Sequence, residues 1–311
     1  MLAMKKYFIA VVAMLLYSTG YAETTQSSVK DTSVHEETIV TVDGDETYTT
    51  TIYRSTDFSN DQMSDGTNWN ESTSDNAYYK EVVTGTDGYS FMFEEKYGAD
   101  SNIAVTPDTY DSHVDLSYMH QEAEFNPNTL RDTAMFESSR YIQDIHQGGG
   151  VYQEDIYGEA IWKSYVTDFS TGYHEQIYGE SVWDSDVSIS ADFWQSHVYL
   201  HNIYEQSITD DEYSSDYFTS SHYIQDIQDG ADLYLEDIYG EAVVKTRMSQ
   251  PGYSQTIYGE AIFDSDHQIT LTTWNSNVYE SDTYMQTITA DGFESSMSNI
   301  DTYEEHLSLA L

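Results

Sequence analysis

The chain carries one stretch of its own sequence twice. Residues Ser138–Lys163 (SSRYIQDIHQGGGVYQEDIYGEAIWK) and Ser220–Lys245 (SSHYIQDIQDGADLYLEDIYGEAVVK) agree at 17 of 26 positions without a gap, where unrelated segments would agree at about two. The match continues past a two-residue deletion. Gln176–Asp186 answers to Thr256–Asp266, Trp194 to Trp274, and Val198-Tyr199 to Val278-Tyr279. Duplication on this scale restricts the chain to architectures in which one supersecondary unit stacks on its copy.

A worn third copy lies upstream at a constant interval of 84 residues: Gly88-Tyr89 for Gly172-Tyr173, Asp100–Asn102 for Asp184–Asp186, and Ser112–Val114 for Ser196–Val198. This gives three β-repeat units, 51–135, 136–217 and 218–305, with a tail at 306–311. Each clear unit holds a shorter echo, in which Ile156-Tyr-Gly-Glu-Ala160 returns 21 residues later as Ile177-Tyr-Gly-Glu-Ser181, and the pair recurs at Ile238 and Ile257.

Tyr, Val, Ile and Thr dominate the units, only 3 Pro are present, and Val187–Ala191 and Gln268–Thr272 alternate strictly. These are strand signals with one face wetter than the other. Turn-like residues at Ser170–Gly172, Asp184–Asp186, Gln195–His197 and Asp210–Glu212 come about every ten residues and predict strands of seven or eight. The expected fold is an all-β, antiparallel short-strand repeat array, built as an elongated sandwich, a barrel or a solenoid. Asn60–Asn76, rich in Asn, Asp and Ser, reads as a long loop, and 23–50 as a flexible Thr/Ser-rich arm.

Lys5 and Lys6, an apolar run from Phe8 to Leu16 and small residues at Gly20 and Ala22 form the three parts of a signal peptide over 1–22. That run is about half the length needed to span a bilayer. The signal predicts a secreted or cell-surface protein, with the periplasm as an alternative stop and no transmembrane segment after cleavage. Removing Lys5 and Lys6 leaves 9 basic side chains against 55 acidic, a net charge of −46. Nucleic acid is thereby excluded as a partner, since it demands clustered Lys and Arg. With 0 Cys there is neither disulfide nor thiolate metal site.

Four Tyr-Gly-Glu tripeptides present Tyr157 and Glu159, Tyr178 and Glu180, Tyr239 and Glu241, and Tyr258 and Glu260 as a repeated ligand face. The architectural alternative is a Tyr packed over the Gly of a neighbouring strand. Trp162, Trp183, Trp194 and Trp274 are candidates for an aromatic platform that would stack against sugar rings, and the recurrence of Trp194 and Trp274 at one repeat position gives core packing as the alternative. Asp184, Asp186, Asp264 and Asp266 offer hard oxygen ligands for Ca²⁺, which needs six to eight such ligands. His197 and His201, four apart on a strand, stand ~13 Å from each other and cannot share an ion.

No Gly-x-Ser-x-Gly, His-Glu-x-x-His or phosphate loop occurs, and no carboxylate pair stands out among 55 for glycoside hydrolysis. Two exported architectures fit poorly. The Ile-Tyr-Gly-Glu-Ala units lack the Asn and closing Gln of curli-type fibre repeats. An outer-membrane barrel wants an outward apolar band and commonly a terminal aromatic, against the Glu304–Leu311 end found here. The expected role is structural or adhesive at the cell surface or in the extracellular matrix, without catalysis, through self-association or a surface polymer. A carbohydrate- or divalent-cation-binding module is the alternative, and a secreted hydrolase the third reading.

Overall fold

A computed structural model describes residues 24–291 and 293–310. The segment 1–22, expected to be a signal peptide, lies outside them. The described chain is all-β, as the sequence indicates, with fourteen strands of 16 to 19 residues. They are β1 (Thr25–Asp43), β2 (Glu46–Ser64), β3 (Trp69–Gly85), β4 (Ser90–Val105) and β5 (Thr109–Asn126). Next come β6 (Arg131–Gly148), β7 (Val151–Asp168), β8 (Tyr173–Ser190), β9 (Phe193–Thr209) and β10 (Ser214–Gly230). The last are β11 (Leu233–Gln250), β12 (Tyr253–Thr270), β13 (Thr273–Ala290) and β14 (Phe293–Ala310).

The strands lie in chain order in one antiparallel sheet. Among the described residues each strand touches only its immediate neighbours, so no second layer covers either face and β1 does not meet β14. The repeat array is therefore an open single sheet, neither sandwich, closed barrel nor solenoid. Its strands are about twice the expected length for a definite reason. Asp184–Asp186 and Gln195–His197 lie inside β8 and β9 rather than at turns, because Asp184, Asp186, Gln195 and His197 share one face while Trp183, Ser185, Val187, Ser196 and Val198 share the other. Real turns fall about every twenty residues, at 169–172 and 210–213 among others.

Two further expectations are corrected. Asn60–Asn76 is the end of β2 and the start of β3 around a four-residue turn, where Asp65 accepts the backbone N–H groups of Thr67 (3.0 Å) and Asn68 (2.7 Å). Those bonds hold the Asp65 carboxyl well below the usual carboxylate range. The supposed arm at 23–50 forms β1 and the start of β2, paired from Thr25·Ser64 to Asp43·Glu46. Its Thr and Val content suits a ladder even without aromatic mass. Elsewhere the turns are tight. Gly149-Gly150 joins β6 to β7 with both φ positive, at 59° and 82°, the backbone that a twisted two-residue hairpin requires.

Each unit of about 80 residues amounts to four strands: β6–β9 and β10–β13 are the clear copies, and β2–β5 occupies the place of the worn one. Ser112, Ser196 and Ser276 are buried at the same point of β5, β9 and β13. The boundaries at residues 51, 136, 218 and 305 fall inside β2, β6, β10 and β14, and β5·β6 and β9·β10 join the units with full-length ladders.

With no facing layer, side chains shelter only between cross-strand neighbours, and Val243 is the one buried apolar side chain among the described residues. The unbroken register fixes two faces. All five Trp (Trp69, Trp162, Trp183, Trp194 and Trp274) point to one, the aromatic face. The Tyr and Glu of every Tyr-Gly-Glu, and the Asp-x-Asp pairs, point to the other, the acidic face. A hollow running across β1–β9 opens toward the acidic face, to which the sheet therefore curves.

Candidate functional site

The acidic face carries a row of carboxylates and imidazoles that crosses the sheet strand by strand. Within β5–β9 it runs His113, Asp144, Asp155, Asp186 and His197, each opposite the next. Across β10–β14 it continues as Asp226, Asp237, Asp266, Asn277 and His306. Three Asp followed by His or Asn is thus the content of one clear unit, and the strand pairing alone assembles the row.

Histidine closes the row at each joint between units. His113 Nδ1 lies 2.6 Å from Asp144 and His197 Nδ1 2.6 Å from Asp226, while His306 Nδ1 meets Asn277 at 2.9 Å. His146 pairs with Asp111 beside the first joint, and Arg140 grips Asp115 through Nε (3.2 Å) and Nη2 (2.7 Å). The Arg140 guanidinium lowers the Asp115 pKa from its ordinary value.

Between the joints the carboxylates face one another, with no Lys, Arg or His ion pair to them among the described residues. Carboxylate oxygens of Asp155, Asp184 and Asp186 come within 4.8 Å of one another, as do those of Asp237, Asp264 and Asp266. Burial first, then the charges of Asp186, Asp184 and Asp144, raises the Asp155 pKa. Asp237 is raised in the same way, by burial and then by Asp266, Asp264 and Asp226. Asp184, Asp186, Asp264 and Asp266 are therefore clustered as cation ligands would need, on strands rather than on turns. Asp155 and Asp237 complete the triads and were not singled out from sequence. The signal was available: each stands two residues before the Tyr of Tyr-Gly-Glu, hence on the same face.

The Tyr-Gly-Glu motif resolves into two functions on two faces. On the acidic face the tyrosine hydroxyl donates to the glutamate two residues on, at 3.0 Å for Tyr157 and Glu159 and 2.9 Å for Tyr239 and Glu241; Tyr178 and Glu180 make the same bond. The Glu180 bond is the main cause that pushes the Tyr178 phenol up to about 12. For Tyr258 burial comes first, then Glu260. The intervening glycine faces the other way, and at three of the four sites an aromatic ring of the adjacent strand lies against it, Gly259 meeting only the Thr283 carbonyl. That ring is Trp183 over Gly158 and Trp162 over Gly179, with Tyr223 beside Gly240. Aromatic cover of a sheet glycine was expected, but at the first two sites the cover is Trp.

Trp194 and Trp274 lie on the aromatic face, opposite Ile189 and Ile269, so the sheet separates them from the Tyr and Glu of every Tyr-Gly-Glu. His201 does not approach His197 for a shared ion; its ring meets His222 of β10 edge-on, centroids 5.8 Å apart. Lysines serve the acidic face differently. Lys163 Nζ lies 5.9 Å from the Phe136 ring and 5.4 Å from that of Tyr178, and Lys245 repeats this with Phe218 (5.3 Å) and Tyr258 (5.7 Å).

The chain matches no family model, no curated protein and no solved structure.

Proposed function

We propose that this protein is a non-catalytic structural or adhesive component, exported to the cell surface or the extracellular matrix, that works by associating with further copies of itself. The observation that supports this best is the aromatic face. Trp162, Trp183, Trp194, Leu200 and Phe263 are each more than a third exposed there, on a sheet of fourteen strands with no layer above them. An exposed apolar surface this continuous marks a contact surface in a soluble chain. Repetition supports the same reading, because weak contacts multiplied along an array gain by multivalency. The carboxylates favour it over hydrolysis, since they recur along rows instead of forming one pair in a single cleft.

Sedimentation of the signal-free chain over a dilution series, at low and high salt, tests the proposal. Concentration-dependent assemblies that grow as salt screens the net charge are expected. A monomer at every concentration and salt overturns it.

The two Asp triads favour a second reading, in which divalent cations bind along the acidic row. Three carboxylates leave the remaining positions of a Ca²⁺ shell to water. A melting midpoint that is the same with Ca²⁺ and with chelator, at matched ionic strength, sinks this reading.

A further inference from the structure

We propose that β14 of one copy pairs antiparallel with β1 of the next, His306 opposite Ser28, so that copies join edge to edge into one continuing sheet. The inference rests on the self-association reading and adds the contact to it. Among the described residues β1 and β14 each have a neighbour on one side only, and their ladders run unbroken over 19 and 18 residues with neither Pro nor bulge. Soluble sheets ordinarily blunt such edges, because a row of unpaired N–H and C=O groups templates another strand.

The strand count sets the orientation. With fourteen alternating strands, β1 and β14 run in opposite directions. Two copies in the same orientation therefore meet as an antiparallel pair that keeps the acidic face on one side. A contact between two different edges is heterologous and adds copy after copy, in an open filament or a closed ring.

The register follows from the row on the acidic face, which reaches the β1 edge through His113, Asn102, Ser72, Asp61 and Ser28. Its other end is His306. Continuing it into a second copy places Lys30, the only Lys or Arg of β1, opposite Glu304. Val34 and Ile300, exposed at 70% and 65%, then face each other. On the aromatic face Asp31 meets Tyr303 and Glu37 meets Met297. From Thr25 to Thr41 no carboxylate opposes another, although both strands are acidic. Symmetric contacts centred on Val34 of β1 or on Asp301 of β14 set Asp31 against Glu37 or Asp301 against itself; two β14 strands centred on Ile300 oppose no carboxylates and are the competing arrangement that the single Cys variants test.

The chain has 0 Cys, so engineered thiols report the contact cleanly. The Val34→Cys/Ile300→Cys double variant, first checked by circular dichroism for unchanged strand content, is oxidised and run on a non-reducing gel. A ladder of dimers, trimers and higher species is expected, and it should be absent from Val34→Cys/Asp301→Cys, whose thiols point to opposite faces. Lys30→Glu should weaken association by on the order of fivefold, and Glu304→Lys in the same chain should restore it. Three outcomes overturn the proposal. They are a cross-link confined to monomers, which means a self-closed barrel; dimers from either single Cys variant, which mean a symmetric edge; and no cross-link while sedimentation still shows assemblies. The last leaves self-association standing through another surface, whereas a monomer in sedimentation removes both.

Discussion

Trp183 of β8 lies across Gly158 of β7, so close that a Cβ on the glycine would stand 3.6 Å from Trp183 Cε3; Trp162 and Gly179 repeat the contact in reverse at 3.5 Å. The reciprocity comes from the 21-residue echo. Each strand of the hairpin carries Tyr-Gly-Glu with a Trp four residues beyond the glycine, and antiparallel pairing sets each Trp opposite the other strand's glycine. In the second copy Val244 and Phe263 take the Trp positions, opposite Gly259 and Gly240.

A methyl group at Gly158 meets only ordinary van der Waals contact. Gly158→Ala should therefore keep the fold and change stability by no more than about 1 kcal/mol, with the gain in strand propensity offsetting any crowding. Trp183→Ala uncovers the glycine and should cost about 1–2 kcal/mol, less than a fully buried Trp because this one is half-exposed. Gly85→Ala is the contrasting case. Its Cβ would land 2.3 Å from Asp87 Oδ1 and 2.8 Å from Tyr48 Cε1, displacing the Tyr48–Asp87 hydrogen bond. Thermal melts of the three variants should rank Gly158→Ala the most stable.

The repeat, the strand content and the co-facial Tyr and Glu were legible because a period of two survives any error in turn placement. Strand length was not. Asp184-Ser-Asp186 has turn composition, and only its neighbours on the other face keep it in a ladder. Whether a strand has one neighbour or two, and whether a second layer exists, depends on pairing at long range. A single sequence carries that information weakly. The Asp155 triad was missed for a similar reason, since its members come from two strands and meet only through the register.

Among the described residues fourteen tyrosines, Tyr157, Tyr178 and Tyr239 included, have their ionisation raised above the ordinary value, by burial and by carboxylate neighbours. A phenol with a raised folded-state pKa contributes stability that is whole below the unfolded value near 10 and is lost as pH rises through the folded one. Tyr178 and Tyr118 reach about 12. The sheet should therefore lose stability steeply above pH ~10. Ultraviolet titration of the phenolates should rise together with the loss of strand signal. Independent titration near 10 with the fold intact would contradict the Tyr–Glu bonds. Glu180→Gln should make Tyr178 ionise earlier.

Asp155 and Asp237 are the reverse of the Arg140-paired Asp115. Their carboxyls are raised, so ionisation opposes folding above their folded pKa, and the opposition disappears once pH falls below the ordinary Asp value of about 3.9. Asp155→Asn and Asp237→Asn should each raise the neutral-pH melting midpoint by about 1–2 °C, discounted for their exposure. The gain should vanish in acid, where the carboxyl is already protonated in both states. For Asp115 the sign is opposite. Its ion pair is present above the ordinary Asp range and lost as pH falls through the lowered folded value, so Asp115→Asn should destabilise at neutral pH and not in acid.

Lys163 and Lys245 place scarce positive charge between aromatic rings rather than against carboxylates, and a cation over two ring faces is held by their quadrupoles as well as by packing of its stem. Lys163→Met preserves the stem and removes the charge, and it should cost about 0.5–1 kcal/mol. Lys163→Ala should cost more, because Phe136 and Tyr178 then lose a packing partner as well. If Lys163 acted only by reducing the net charge of the sheet, Lys163→Met and Lys163→Ala would be equal, and both losses would fade as salt rises. Ring contact instead predicts Lys163→Ala below Lys163→Met in melting midpoint, with a gap that persists at high salt. Lys245, between Phe218 and Tyr258, should give the same order in the neighbouring unit.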